Sequence, residues 1–422
     1  MADDALHNPT NTQPAPRDTA VRVVQTLNDA GHTAYFAGGC VRDRLMGNAP
    51  KDYDVATSAR PEDVRQLFRN VHNVGEAFGV MLVRENGHII EVASFRTDGI
   101  YCDGRRPENI TFSSAEEDAA RRDFTINGLF EDPLTDQVID YVGGRDDLEA
   151  RTIRAIGNAH MRFREDHLRM LRAVRFAARF SFSLDADTAD AIRAGRLSLD
   201  GVSRERIGQE LRMMMLDSNR AVAAWELQYL GLDAVVLHEE NLTVAPTRLG
   251  RLPDDIEYAT ALVAWILDRH ATDFEDEVDL VRRLDIQSIV AQWTRALMLS
   301  NAERDAVRLL LQTYRAVLDD WSTLGVAARK RLAAIPAFQD TLVILQTVER
   351  QQFVDRRREV VELARTGLNP DPLVTGDDLV DVGMTPGPDF GRILEAVYDA
   401  QLEGSIHDRD GAIALARIIA AT

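Results

Sequence analysis

The sequence predicts an α+β fold: a small mixed sheet with helices on it over the first third of the chain, then helices alone to the C-terminus. Three observations predict this. Short apolar stretches with strand-like alternation and a hairpin signature occupy residues 18–140. From about residue 145 the segments lengthen, become rich in Ala, Leu and Arg, and take helical spacing. At 422 residues and 45% hydrophobic, the chain is long enough for about two to four domains of ordinary globular composition.

The elements follow in order. Residues 18–35 carry Val21, Val24, Leu27 and Ala30 at three-residue steps, a helical pattern that Gly31 ends. Thr33 to Ala37 reads as a short strand running into Gly38-Gly39. Val41 to Met46 is a helical turn, broken by Gly47-Asn48-Ala49-Pro50. Asp52 to Ala56 alternates like a strand. Pro61 to Phe68 is a helix with proline in its first turn. Val80–Arg84 and Ile89–Ala93 pair as a hairpin across Glu85-Asn86-Gly87-His88. Residues 220–345 read as helical without a catalytic signature, and Asp273 to Glu277 as a solvated acidic loop or helix start. Beyond Asn369-Pro370-Asp371-Pro372, Thr375-Gly376-Asp377-Asp378 reads as a helix N-cap with acidic residues in its first turn. A turn at Met384–Pro388 precedes a last predicted helix over 390–403.

Composition narrows the function classes. No run of about 18 apolar residues occurs, so a membrane-spanning helix is excluded. The N-terminus lacks the basic and apolar regions of a secretory signal and reads as a disordered arm. The two cysteines, Cys40 and Cys102, are too few for a disulfide framework and suit a reducing, cytoplasmic location. A net charge of -19 argues against a non-specific nucleic-acid coat. The distribution is uneven, however: residues 151–180 hold eight arginines against Glu165 and Asp166. An arginine cluster by itself reads as a solvated helix face.

The chemistry concentrates in two places. On a strand, positions i and i+2 share a face. Asp52 and Asp54 then repel, and Mg²⁺, with its taste for oxygen ligands, waters and substrate phosphates, would relieve that repulsion. Alone, such a pair reads more readily as a turn. Just upstream, Gly38-Gly39 allows close approach of a phosphate to the backbone, and the helix start behind it favours anions. The second place is Asp166 with Arg169, three residues apart and so neighbours on a helix surface. Arg172 and Arg175 continue the step, while Leu171, Val174 and Ala178 lie on the packing side.

The stretch Gly38-Gly39-x-Val41-Arg42-Asp43-x-Leu45-x-Gly47-x4-Asp52-x-Asp54 closely resembles the head motif of class II tRNA nucleotidyltransferases and bacterial poly(A) polymerases. These belong to the polymerase-beta-like nucleotidyltransferase superfamily. The resemblance continues, in the family's order, through Glu91 to Gly99, Tyr101-x-Asp103-x-Arg105-Arg106-Pro107, Arg121 to Asn127, Arg164 to Phe176 and Ser203-Arg204-Glu205-Arg206-x3-Glu210. It implies a polymerase-beta-like head with a mixed five-stranded sheet, followed by helical neck, body and tail. The corresponding boundaries are an arm over 1–17, a head over 18–145, a neck over 146–217, a body over 218–365 and a tail over 366–422.

The reaction so implied is attack of an RNA 3′-hydroxyl on the α-phosphate of CTP or ATP, with two Mg²⁺ ions and release of pyrophosphate. The RNA would be the tRNA 3′ end and acceptor arm. Asp52 and Asp54 match the metal ligands, and Glu91 is a candidate third carboxylate. Gly39, Arg42 and Arg122 match positions near the triphosphate, with Arg121 facing solvent or RNA. Asp123 and Asn127 are read as structural caps. Asp166 and Arg169 match the pair that selects the base, and Arg172 and Arg175 match further nucleotide contacts. A carboxylate accepts from the amino group of cytosine or adenine and an arginine donates to ring acceptors, so C and A are chosen without a nucleic-acid template. The bland alternative is an i,i+3 salt bridge.

Three positions depart from the family pattern: His167 stands where Pro is common, Gly128 where Ala or Ser is, and Ser181 where Gly is frequent. Full CCA addition, A-only addition and poly(A) tailing share these motifs. CC-only enzymes are understood to lack the loop that residues 96–112 resemble. A non-catalytic RNA-binding relative is the reading of another class.

Overall fold

The computed structural model describes residues 15–75, 79–98, 110–270, 277–319, 321–348 and 350–421. The expected loop motif Tyr101–Pro107, Cys102 and most of the acidic stretch from Asp273 lie outside the described residues. The chain divides into two compact units, one of Met1–Glu210 with Glu226–Glu239 and one of Leu211–Trp225 with Glu240–Thr422.

The first unit opens on α1 (Pro16–Asp29), which starts inside the segment predicted as an arm. Proline suits that first turn because its missing N–H has no intrahelical partner there. The buried stripe is Ala20, Val23, Val24 and Leu27, spaced i, i+3, i+4, i+7. The predicted stripe shared only Val24 and Leu27; Ala30 falls past the helix end and is exposed. Then follow β1 (Ala34–Ala37), α2 (Gly39–Leu45), β2 (Asp54–Thr57), α3 (Pro61–Leu67), β3 (Val71–Gly75), β4 (Val80–Glu85) and β5 (His88–Ser94). Next come β6 (Arg96–Asp98), β7 (Ile110–Phe112), α4 (Ala115–Ala120), β8 (Phe130–Asp132), β9 (Gln137–Ile139) and α5 (Gly144–Glu149).

Seven strands form the main sheet, in the order β3-β4-β5-β2-β1-β8-β9, where five were expected. β8 and β9 are three residues each, too short for a period-two pattern to register in the sequence. The sheet is mixed: β2 runs parallel to β5, and the other neighbours are antiparallel. The β4–β5 hairpin turns at Asn86 and Gly87, both with positive φ (49° and 81°), as a two-residue turn of the primed type requires. One sheet face packs Phe36, Val55, Met81, Val83, Ile90 and Val92 with the α1 stripe. The other packs Ala37, Ala56, Phe95 and Phe130 against Ala115 and Ala119 of α4.

After the sheet come β10 (Thr152–Ile153), α6 (Ala159–Glu165), α7 (Arg169–Phe180), β11 (Ser183–Leu184), α8 (Ala186–Gly195), α9 (Arg204–Met215), α10 (Arg220–Tyr229) and α11 (Leu232–Leu237). β10 and β11 make a small parallel pair behind α7. α7 buries Leu171, Val174 and Ala178, the side predicted to pack. Ser181 closes it with φ 54°, a left-handed conformation that explains why glycine is frequent at that place. A Cβ on Gly128 would come within 2.7 Å of Val142 Cγ2, so glycine there makes room for the Val142 side chain.

The second unit holds helices and connecting loops, with no strand among its described residues. Its core holds Trp265 edge-on to Trp293, with ring centroids 5.2 Å apart, and a buried Arg248–Asp268 ion pair. Its last helices are α20, α21 and α22 if the intervening ones are counted in chain order: α12 (Thr247–Arg251), α13 (Tyr258–His270), α14 (Glu277–Arg283), α15 (Ile286–Leu297), α16 (Asn301–Asp319), α17 (Val326–Ala333), α18 (Phe338–Gln346), α19 (Arg350–Ala364), α20 (Gly376–Asp381), α21 (Phe390–Leu402) and α22 (Arg409–Ala420). Thr375 caps α20 as predicted, in a reciprocal capping box with Asp378. α20, α21 and α22 share a small core of Val374, Leu379, Ile393, Val397, Ala412 and Ala416. No described helix is long and apolar enough to cross a membrane.

Candidate active site

The site is built where β1 ends. Gly38 has φ 69° and ψ −119°, a backbone region open to glycine, and its N–H donates to the Leu129 carbonyl just before β8. A Cβ at Gly38 would stand 2.8 Å from Arg122 Nη1, so this glycine also lets that guanidinium close in. α2 starts immediately behind. Its Cys40 thiol is buried, and burial pushes its pKa up to about 11, which keeps it protonated and unreactive.

β2 begins at Asp54, two residues later than predicted. Asp52 lies in the bend before it and is exposed, so the two carboxylates do not share a strand face. The partner across the sheet is Glu91: β2 and β5 run parallel in a register that sets Asp54 beside Glu91. Burial pushes the Asp54 pKa up to about 6, the Glu91 charge adds to this, Arg122 opposes it, and Asp52 contributes further repulsion. Asp54 opens onto solvent on one side, yet it stands in a crowded wall of like charge. Hard, mutually repelling oxygen donors of this kind fit Mg²⁺, whose remaining ligands are commonly water and phosphate oxygens. Among the described residues no three His, Cys, Asp or Glu side chains are gathered to hold a metal by themselves.

The opposite wall is arginine. Arg42 is buried: Nη1 donates to Asn127 Oδ1 at 2.5 Å, Nε and Nη2 donate to Asp43, and the guanidinium lies over Phe180 at 4.6 Å. Burial lowers its pKa despite Asp43. Arg122 donates from Nε and Nη2 to Asp118 and from Nη1 to the Asn127 carbonyl. Arg121, expected to face solvent or RNA, lines the same cleft and donates to Asp118 and the Arg96 carbonyl. Asp123 is a hub. Burial opposes its charge, but Arg172 and hydrogen bonds from Asn127, Arg172 and the Phe124 N–H hold its pKa well below the usual range.

The expected helix bearing both Asp166 and Arg169 is broken. Asp166 is extended, with φ −146° and ψ 106°, between α6 and α7. Its Oδ1 accepts from the Leu168 N–H at 3.0 Å, a local bond that competes with helix continuation. Its Oδ2 accepts from Arg206 Nη2 at 2.7 Å. Arg169 pairs instead with Glu165, Nη1 to Oε2 at 2.6 Å. The i,i+3 salt bridge is therefore absent, and acceptor and donor are anchored separately. Arg172 binds Asp123 at 2.6 Å and Arg175 binds Glu210 at 2.6 Å, both over the Phe176 ring.

Gly39, Arg42, Asp54, Glu91, Arg122, Asp166, Arg169, Arg172 and Arg175 all line one cleft of about 640 Å³; Asp52 alone among the predicted residues does not. Arg206 also lines it and was missed, as was Glu210 behind Arg175. Both sit in the Ser203–Glu210 motif, which was the available signal. The Phe176 and Phe180 rings carried no signal of their own.

Comparisons with known proteins agree with this architecture. Residues 34–154 match the family "Poly A polymerase head domain". The CCA-adding enzyme of Geobacillus thermodenitrificans is 33% identical over 401 residues, covering 93% of this chain and 94% of the relative. The chain belongs to the CCA-adding enzyme family. The CCA-adding enzyme of Enterococcus faecalis is 32% identical over 398 residues, covering 92% and 93%. The Bacillus stearothermophilus CCA-adding enzyme, solved in complex with CTP, superposes with TM-score 0.73 at 27% identity, covering 97% of this chain and 98% of that one. The Thermotoga maritima CCA-adding enzyme complexed with tRNA shares the fold at TM-score 0.67 and 19% identity, covering 97% of both.

Proposed function

We propose that this chain adds C and A residues to the tRNA 3′ end from CTP and ATP, without a nucleic-acid template, in the cytoplasm. The observation that carries the reading is the cleft itself, in which a carboxylate and a guanidinium with separate anchors stand with a carboxylate pair and a set of arginines. The relatives' CTP and tRNA complexes support the same substrates.

In this reading Asp54, with Glu91 beside it, and Asp52 from the bend before β2 would hold Mg²⁺. Two such ions, when bound, stabilise the attacking and leaving oxygens of the transfer. Arg122 and Arg42, with the Gly39 backbone, neutralise and orient the triphosphate, so that the α-phosphate meets the RNA 3′-hydroxyl in line and pyrophosphate leaves. Asp166 accepts from the exocyclic amino group of cytosine or adenine. A carboxylate has about four acceptor positions, and Leu168 and Arg206 take two. Arg169 donates to the ring acceptors. Arg172 and Arg175, held by Asp123 and Glu210, flank the base. Uracil and guanine would turn a carbonyl toward Asp166, acceptor against acceptor. The head (18–145), neck (146–217), body (218–365) and tail (366–422) divide the work, with chemistry in the first two and RNA docking in the others.

The test is incubation of the purified chain with tRNA ending at the discriminator base, at C and at CC, with each nucleoside triphosphate separately. Stepwise C, C and A addition supports the reading. Runs of A on any RNA would make it a poly(A) polymerase, A on the CC end alone an A-adding enzyme, and no incorporation an RNA-binding relative.

A further inference from the structure

We propose that Arg162 is a positioning residue that couples the triphosphate side of the cleft to its base-reading side. The proposal rests on the reading that Arg122 meets the triphosphate and Arg169 the base. Arg162 lies on α6 and does not line the cleft. Its guanidinium is mostly covered, with 13% of the side chain exposed.

Its donors go in two directions. Toward the head, Nη2 donates to the Ala120 carbonyl at 2.5 Å and Nη1 to the Arg121 carbonyl at 3.1 Å. These are the carbonyls at the C-terminal end of α4, which lack intrahelical partners and favour a cation. The next residue in the chain is Arg122. Toward the neck, Nη1 also donates to Glu165 Oε2 at 2.9 Å, and Nε to the Ile156 carbonyl at 3.2 Å. The same Glu165 oxygen accepts from Arg169 Nη1 at 2.6 Å, and Arg169 Nη2 reaches the Arg121 carbonyl at 3.5 Å.

One planar fork thus spans from the peptide that sets Arg122 to the carboxylate that sets Arg169. Arginine fits this place because its five donors are fixed in a plane; an ammonium offers a point charge and no fork. Loss of the fork frees the end of α4 and takes from Glu165 the second guanidinium that fixes it, leaving Arg169 on an unbraced carboxylate and on the Arg162 and Arg121 carbonyls. Triphosphate grip and base choice should then weaken together. A brace that served stability alone would lower the melting temperature and the active fraction, and would leave KM and base choice unchanged.

The experiment uses the full-length enzyme with Arg162→Met, on tRNA lacking its CCA end. It reads KM for CTP and for ATP, the ratio of CTP to UTP incorporation efficiency, and the melting temperature. Loss of a charged hydrogen-bond set is expected to raise both KM values about 10-fold and to lower the ratio about 10-fold. Arg162→Lys should recover only part of either. Unchanged KM and ratio would overturn the proposal whatever the melting temperature does. If Arg162→Met does not fold, Glu165→Gln serves in its place: it keeps the shape, removes the shared charge, and should lower the ratio several-fold. Asp166→Ala in the same assay separates the two levels. If Asp166→Ala leaves the ratio unchanged, the base-reading assignment fails and the coupling with it. If it lowers the ratio while Arg162→Met and Glu165→Gln do not, only the coupling fails.

Discussion

Asp54 is the residue proposed to hold the metal, and its environment makes predictions without substrate. Its pKa in the folded chain is pushed above the ordinary value, to about 6, by burial and by Glu91 and Asp52, against Arg122. The folded chain therefore holds more protons than the unfolded one between roughly pH 4 and pH 6, and the metal-free protein loses stability as pH rises through that window. Asp54→Asn should remove this loss. Its advantage in melting temperature over the parent should be small near pH 4 and grow to its full size by pH 7.5, in chelator. Added Mg²⁺ should raise the parent's melting temperature and leave that of Asp54→Asn unmoved. Equal curves at both pH values would show that Asp54 is not under electrostatic strain. Incorporation should be abolished in Asp54→Ala and in Asp52→Ala, both folded; near-normal activity in either would remove it from the metal site. Arg122→Ala should raise KM for CTP and ATP together, because the triphosphate is common to both. A change confined to one base would take Arg122 off the phosphates.

At the scale of elements, the strands that carry the site were legible because their signals are local. β4 and β5 could be read from Asn86-Gly87, whose conformations the turn demands. Gly38-Gly39 marked the approach to the cleft because the chain needs φ 69° there. Gly38→Ala tests that element: the strained backbone and the 2.8 Å approach to Arg122 predict weaker binding of both triphosphates and a stability loss of about 1–3 kcal/mol. Unaltered KM would mean that the approach has no functional consequence. The break between α6 and α7 was not legible. Composition over 159–180 favours one continuous helix, and what interrupts it is Asp166 bonding its own Leu168 N–H and a distant arginine, Arg206. Nothing in local sequence says that Arg206, forty residues on, will reach that carboxylate. β8 and β9 escaped for the opposite reason, being too short to show a period.

Over the whole molecule, the basic chemistry sits in the first unit while the chain as a whole carries a charge of -19. α20, α21 and α22 keep a core of their own, so a cavity there should stay local. Leu379→Ala should cost about 2–5 kcal/mol in that small core, and CTP binding to the first unit should persist, measured by titration of the variant. Loss of CTP binding would mean that the last helices support the nucleotide site. In the proposed function the protein itself, through Asp166 and Arg169, chooses C and A. The most direct measurement is the ratio of CTP to UTP incorporation efficiency on tRNA lacking its CCA end, for the parent and for Asp166→Ala. Each base-edge pairing carries about 1–3 kcal/mol, roughly 5- to 150-fold in discrimination. If Asp166 reads the base edge, the ratio collapses by that factor while Mg²⁺ dependence and triphosphate affinity survive. A slower enzyme with its ratio intact would contradict it, and would make Asp166 a brace for the turn between α6 and α7.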